Sequence, residues 1–203
     1  CEMCIRDRVW PSGAFRNLTS LAVLDLSRNA IKSLAADTFQ SLAKSSRLSR
    51  LLLSGNEIAQ IDVGALAPLA STLNALFLDR NKLTSLTAGV FRKSTSLATL
   101  RLDQNRISRL GTNVFSPLKE LVLLNLSSNA LASLTAAQFS SGLANFTAPM
   151  DTNNYGFELL LADNGIRVMA ADTFAGLLAT TRVRTLDLGN NRLSSFNAST
   201  FYC

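Results

Sequence analysis

The 203-residue sequence predicts an α/β repeat solenoid, with a parallel β-sheet along one face and loops, turns or short helices along the other. Three observations carry the prediction. A template L-x-x-L-x-L-x-x-N-x-L recurs along the chain, an aromatic residue recurs in fixed phase behind it, and the L-x-L core of the template has the period of a strand. The copies run LAVLDLSRNAI from Leu21, LSRLLLSGNEI from Leu48, LNALFLDRNKL from Leu73, LATLRLDQNRI from Leu97 and LVLLNLSSNAL from Leu121. Two looser ones follow, GFELLLADNGI from Gly156 and VRTLDLGNNRL from Val183. All seven keep the second and third Leu, the Asn and the closing Leu or Ile.

In L-x-L the two leucines point the same way, because strand side chains alternate. Each copy therefore supplies one short strand with a buried and a solvent-facing side. No copy can bury its apolar side alone, so the strands stack and neighbour contacts supply the stability. The template Asn is suited to satisfying backbone groups of the turn that leaves the strand, in its own repeat or the next. The column Asn29, Asn56, Asn81, Asn105, Asn129, Asn164 and Asn191 is accordingly read as structural. Eighteen residues after each template start stand Phe39, Leu66, Phe91, Phe115, Phe139, Phe174 and Phe201, with Phe15 in the same phase ahead of them. That column is read as a core spine on the far side of the coil.

This pattern resembles the leucine-rich-repeat family, in its roughly 24-residue class with a Phe spine, found in extracellular proteins such as Toll-like receptors and Slit. The resemblance covers nearly the whole chain. It implies a right-handed, curved coil with the sheet on the concave face, an extracellular or cell-surface setting like that of a receptor ectodomain, and a protein partner bound on the concave face.

Successive template asparagines lie 27, 25, 24, 24, 35 and 27 residues apart. The 35-residue step contains an inserted loop at about 144–156, whose Pro, Gly and Asn content reads as exposed and as a place for binding function. A calcium loop is rejected there, because Tyr155 takes a ligand position and Ala162 stands where the bidentate Glu should be. The 27-residue steps are longer on the convex side and fit a helical turn. Residues 1–18 read as a partial N-terminal repeat with Cys-x-x-Cys and an incomplete cap, and 19–203 as seven repeats. The expectation is an excerpt of a longer polypeptide, or a piece whose ends dock on partners.

Composition excludes much chemistry. There is no histidine, and Cys1, Cys4 and Cys203 are the only cysteines. A Ser-His or Cys-His nucleophile pair therefore cannot form, and a structural zinc site would lack its fourth Cys or His ligand. The carboxylates show no reactive pair, so neither an enzyme nor a cofactor or metal site is expected. The three cysteines are disulfide candidates. Seven strands at about 4.8 Å place the two ends roughly 30 Å apart, too far for Cys203 to reach Cys1 or Cys4. Sequons at Asn17, Asn125, Asn145 and Asn197 are N-glycosylation candidates, and with the terminal cysteines they favour the secretory route. No apolar run is long enough for a transmembrane helix.

The solvent-facing residue between the paired leucines forms the row Asp25, Leu52, Phe77, Arg101, Asn125, Leu160 and Asp187. Leu52 and Phe77 make an apolar centre; Arg50, Arg80 and Arg101 rim it, with Asp79 and Asp103 in the neighbouring column, as at a protein-recognition patch. A glycan on Asn125 would obstruct the middle of that face. The net charge is +6, and most of it gathers on a flank formed by Lys32, Lys82, Arg106, Arg109, Arg167 and Arg192 against Glu57. Such a stripe suits an acidic surface or sulfated glycan through salt-sensitive attraction, or simply solvates the flank. Nucleic acid is not expected, since no aromatic residues interleave with the basic ones. The expected function is a non-catalytic recognition module for a protein partner, bound by the concave face or the inserted loop. The alternative is a structural subunit of a larger surface assembly, docked through incomplete ends and the basic flank.

Overall fold

The computed structural model describes residues 14–43, 47–139, 156–175, 177 and 182–195. Among the described residues thirteen short strands follow in chain order: β1 (Val23–Asp25), β2 (Ser33–Leu34), β3 (Arg50–Leu52), β4 (Gln60–Ile61), β5 (Ala75–Phe77), β6 (Ser85–Leu86), β7 (Thr99–Arg101), β8 (Arg109–Leu110), β9 (Leu123–Asn125), β10 (Ser133–Leu134), β11 (Phe157–Leu160), β12 (Val168–Met169) and β13 (Val183–Asp187). The odd-numbered strands form one parallel seven-stranded sheet in chain order. Each template copy contributes one of them.

The L-x-L reasoning holds residue by residue. Leu24, Leu51, Leu76, Leu100, Leu124, Leu159 and Leu186 are paired in register across the sheet. From Leu51 to Leu159 they are fully buried, each contributing about 1.5–3 kcal/mol through loss of apolar surface to water. The Phe spine lies opposite. Phe91, Phe115 and Phe139 stack at centroid separations of 6.1 and 6.2 Å, and Phe15 stacks on Phe39 at 6.4 Å. Leu66 fills the place between Phe39 and Phe91, also buried.

The return limb is mostly turn. A 3-10 helix at Gln40–Leu42 occupies the first 27-residue step, as its extra length suggests, and another at Ala67–Leu69 occupies the 25-residue step, opened by Pro68. The second long step lies partly outside the described residues. A feature the template does not announce is a set of two-residue parallel pairs on this limb, β2 with β4, β6 with β8 and β10 with β12.

The asparagine column ties the coils together. The Oδ1 of Asn81 accepts the N–H of Ile58 in the preceding repeat at 2.9 Å, while its Nδ2 donates to the carbonyls of Leu53 and Leu78 at 2.9 and 3.1 Å. Asn56, Asn105, Asn129, Asn164 and Asn191 repeat this arrangement. One amide thus satisfies a donor and two acceptors that stacking would otherwise leave buried and unpaired, each worth about 1–3 kcal/mol if orphaned. The residue just before each Asn is left-handed in every repeat: Arg28, Gly55, Arg80, Gln104, Ser128, Asp163 and Asn190, with φ between 53° and 68°. Such backbone costs an L-residue roughly 1–2 kcal/mol, and the turn into the ladder demands it seven times.

Candidate recognition face

The solvent-facing row is in register from end to end: Asp25 beside Leu52, then Phe77, Arg101, Asn125, Leu160 and Asp187. Leu52 and Phe77 are half-buried, so each offers part of its apolar surface while resting on its neighbours. Arg50 is exposed beside them.

Toward the end of the strands the face opens into a cleft of about 690 Å³. It gathers Asp25, Phe77, Asp79, Arg80 and Arg101 from the residues that the sequence singles out. It adds Ser27, Arg28 and Ser54, which the sequence reading passed over, although all three stand in the two columns just before the ladder Asn. Arg50, Leu52 and Asp103 do not line it.

The carboxylates around the cleft are held by the protein itself. Asp25 accepts the Ser27 N–H at 2.9 Å, and that bond, with the Ser27 side chain next, holds its pKa below the ordinary value. Ser54 Oγ donates to Asp79 at 2.6 Å. Arg101 donates Nε–H and an Nη2–H to the two oxygens of Asp103, each at 3.0 Å. This fork raises the pKa of the Arg101 guanidinium against some loss of hydration, with Asp103 and Asp79 adding charge attraction. Asp79 and Asp103 were expected as an exposed charged rim. Both are instead buried, at 4% exposure. The reason is that their column turns back over the strand ends, where a carboxylate is retained only if paired or hydrogen-bonded.

Asn125 is half-buried on the same face, its Oδ1 accepting the Ser127 N–H at 3.0 Å. Asn17 is exposed, with a φ of 75°, and Thr19 of its sequon is exposed as well. On the flank, Lys32, Lys82, Arg106, Arg109, Arg167 and Arg192 are all exposed. Lys82 pairs with Glu57 at 2.9 Å. Arg109 sits on the return-limb pair β6–β8 rather than in the same column. The 144–156 loop short of its final glycine, Asn145, Asn197, Cys1, Cys4 and Cys203 lie outside the described residues. Among the described residues no cluster of three His, Cys, Asp or Glu could hold a metal, and no helix is long and apolar enough to cross a membrane.

The leucine rich repeat family profile matches residues 8–58, 46–107, 71–131 and 95–141, and a second leucine rich repeat profile matches 182–203. The chain belongs to the leucine-rich-repeat family. Over 87 residues, 42% of this chain, it is 37% identical to a probable glycoprotein hormone G-protein coupled receptor of Anthopleura elegantissima. That match spans 9% of the receptor. The asparagine ladder and Phe spine are therefore the leucine-rich-repeat scaffold of this chain.

Proposed function

We propose that the chain is a non-catalytic recognition module that binds a protein partner on its strand face, in an extracellular or cell-surface setting. The observation that carries the reading is the cleft where Phe77 meets Arg80 and Arg101 on a rigid parallel sheet. A part-exposed aromatic beside guanidiniums is the composition of an interface centre, and the sheet holds it preorganised, which lowers the ordering cost of binding. The likeness to a receptor supports the surface setting, as do the sequons. Absence of histidine supports a role without chemistry. The exposed basic flank supports an added attraction to acidic surfaces or sulfated glycans, weakened by salt.

The test is selection of a displayed random-peptide library on the chain, produced through the secretory route and checked for mass lost on N-glycan removal. Binders enriched on the native chain should lose at least about tenfold in affinity, about 1.4 kcal/mol, with Leu52→Ala/Phe77→Ala. Thermal unfolding should change little. Binders indifferent to the double substitution would remove the strand face from the proposal. A bare chain would remove the sequons from the support for the secretory setting.

A further inference from the structure

The left-handed column that precedes the ladder asparagines carries a side chain in six of its seven places, and Gly55 is the bare one. Gly55 is stacked between Arg28 and Arg80: the Arg28 N–H donates to Ser54 O at 2.8 Å, and the Gly55 N–H donates to Asp79 O at 2.9 Å. A Cβ on Gly55 would meet the Arg28 Cγ at 3.5 Å, so a side chain there would occupy the space between the two arginines. With strands about 4.8 Å apart, the Arg28 and Arg80 backbones stand roughly 10 Å from one another. Both side chains are exposed, and both line the cleft, as does Ser54 beside Gly55.

The cleft is lined by three guanidiniums, Arg28, Arg80 and Arg101, against two carboxylates, Asp25 and Asp79. Asp25, Asp79 and Asp103 each accept a bond from within the protein. Among the described residues the guanidiniums of Arg28 and Arg80 make neither a hydrogen bond nor an ion pair. Each presents five N–H donors in a planar fork matched to a carboxylate. Water meets the donors of these exposed guanidiniums, with Asp25 near enough to Arg28 for charge attraction, so an incoming acceptor need displace no hydrogen bond within the protein.

We infer that the Arg28–Gly55–Arg80 slot is a subsite for an acidic, extended segment of the protein partner. Carboxylates of alternate residues, which point the same way along an extended chain, are shared between the two guanidiniums. This rests on the recognition reading above and narrows its partner to one with an acidic stretch. Alternate residues of an extended chain are about 6.6 Å apart, within reach of two long side chains whose backbones stand roughly 10 Å apart.

The experiment is a titration of the isotope-labelled full chain with the capped peptide Ala-Glu-Ala-Glu-Ala at low salt, followed by backbone amide shifts. Saturating shifts are expected at Ser54, Gly55 and Arg80. Affinity should fall at least about tenfold for the Gln-for-Glu peptide, and again for Gly55→Gln on the chain. That substitution fills the slot at the cost that left-handed backbone imposes on an L-residue, a conformation that Gln104 already bears at φ 54°, and unchanged amide shifts in the distant repeats check that the fold is kept. Equal shifts from the Gln peptide would overturn the inference. So would shifts confined to Lys82 and Arg106, which would give the acid to the flank, or sulfate moving the slot amides where the peptide does not. If library binders ignore Gly55→Gln yet still lose affinity with Leu52→Ala/Phe77→Ala, the slot falls and strand-face recognition stands. If they ignore both, the underlying reading falls.

Discussion

The interior repeats and the last repeat use one template and reach different depths of burial. In the third and fourth repeats Leu76, Leu78, Leu83, Leu100, Leu102 and Ile107 are fully buried. Their counterparts in the last, Leu186, Leu188 and Leu193, are only partly buried against the core. The pairing differs too. β5, β7 and β9 run in unbroken register, whereas β11 and β13 slip by one residue between Phe157 and Glu158. The spine follows suit, with Phe139 and Phe174 tilted by 46° where Phe91 and Phe115 lie within 21° of parallel. Gly156 marks the place. It stands where five other copies have Leu, and a Cβ there would lie 2.6 Å from that of Arg184. Phe157, one position later, supplies the buried bulk. A repeat's stability thus comes from what flanks it as much as from its own residues.

The sharpest way to break the comparison is a pair of truncations. Leu100→Ala should cost about 2–5 kcal/mol, the transfer loss plus a cavity between two packed neighbours. Leu186→Ala, with less surface to lose, should cost roughly 1 kcal/mol. Equal losses in denaturant unfolding would mean that the last repeat is as tightly held as the interior.

A smaller contrast follows from the ladder. Asn105→Ala removes the acceptor of the Leu83 N–H and the donor to Leu78 and Leu102 carbonyls. It should cost at least the ~1–3 kcal/mol of one buried orphan. Asn29 is exposed and bonds to the carbonyls of Leu26 and Ser27, so Asn29→Ala should cost about 0.5–1.5 kcal/mol. Amide exchange at Leu83 should quicken in the first variant, and its failure to do so would deny the inter-repeat role.

The smallest effect concerns the left-handed column. Ser128→Gly should relieve strain at φ 55° and stabilise by up to about 1 kcal/mol, after the greater entropy loss of glycine on folding. Asn190→Gly should gain almost nothing, because Asn tolerates this region. A matching rise in Tm for both would show that the column is strained regardless of residue type.

Much was legible in the sequence because it is periodic. The parallel sheet, the Leu ladder, the Asn column, the Phe spine and the row from Asp25 to Asp187 all follow from local alternation repeated at fixed phase. Of the cleft, the sequence pointed to Asp25, Phe77, Asp79, Arg80 and Arg101, which share the strand ends, but missed Ser27, Arg28 and Ser54. For Arg28 the residue type gives no signal, since Arg, Gln, Ser, Asp and Asn occupy the left-handed place as well as Gly; Ser27 and Ser54 are small polar turn residues that only the cleft brings together.

Which side chains lie beside one another, and how deeply, was decided by stacking. The turn over the strand ends buried Asp79 and Asp103, the β11–β13 register shifted beside the close approach at Gly156, and Gly55 came to rest between two arginines. The sequence by itself determined that the chain coils, because each repeat must bury a face it cannot bury alone. Only the tertiary structure decided that Arg28 and Arg80 lie, among the described residues, with no acceptor from the protein, because that depends on residues 25 to 30 positions apart meeting across neighbouring turns.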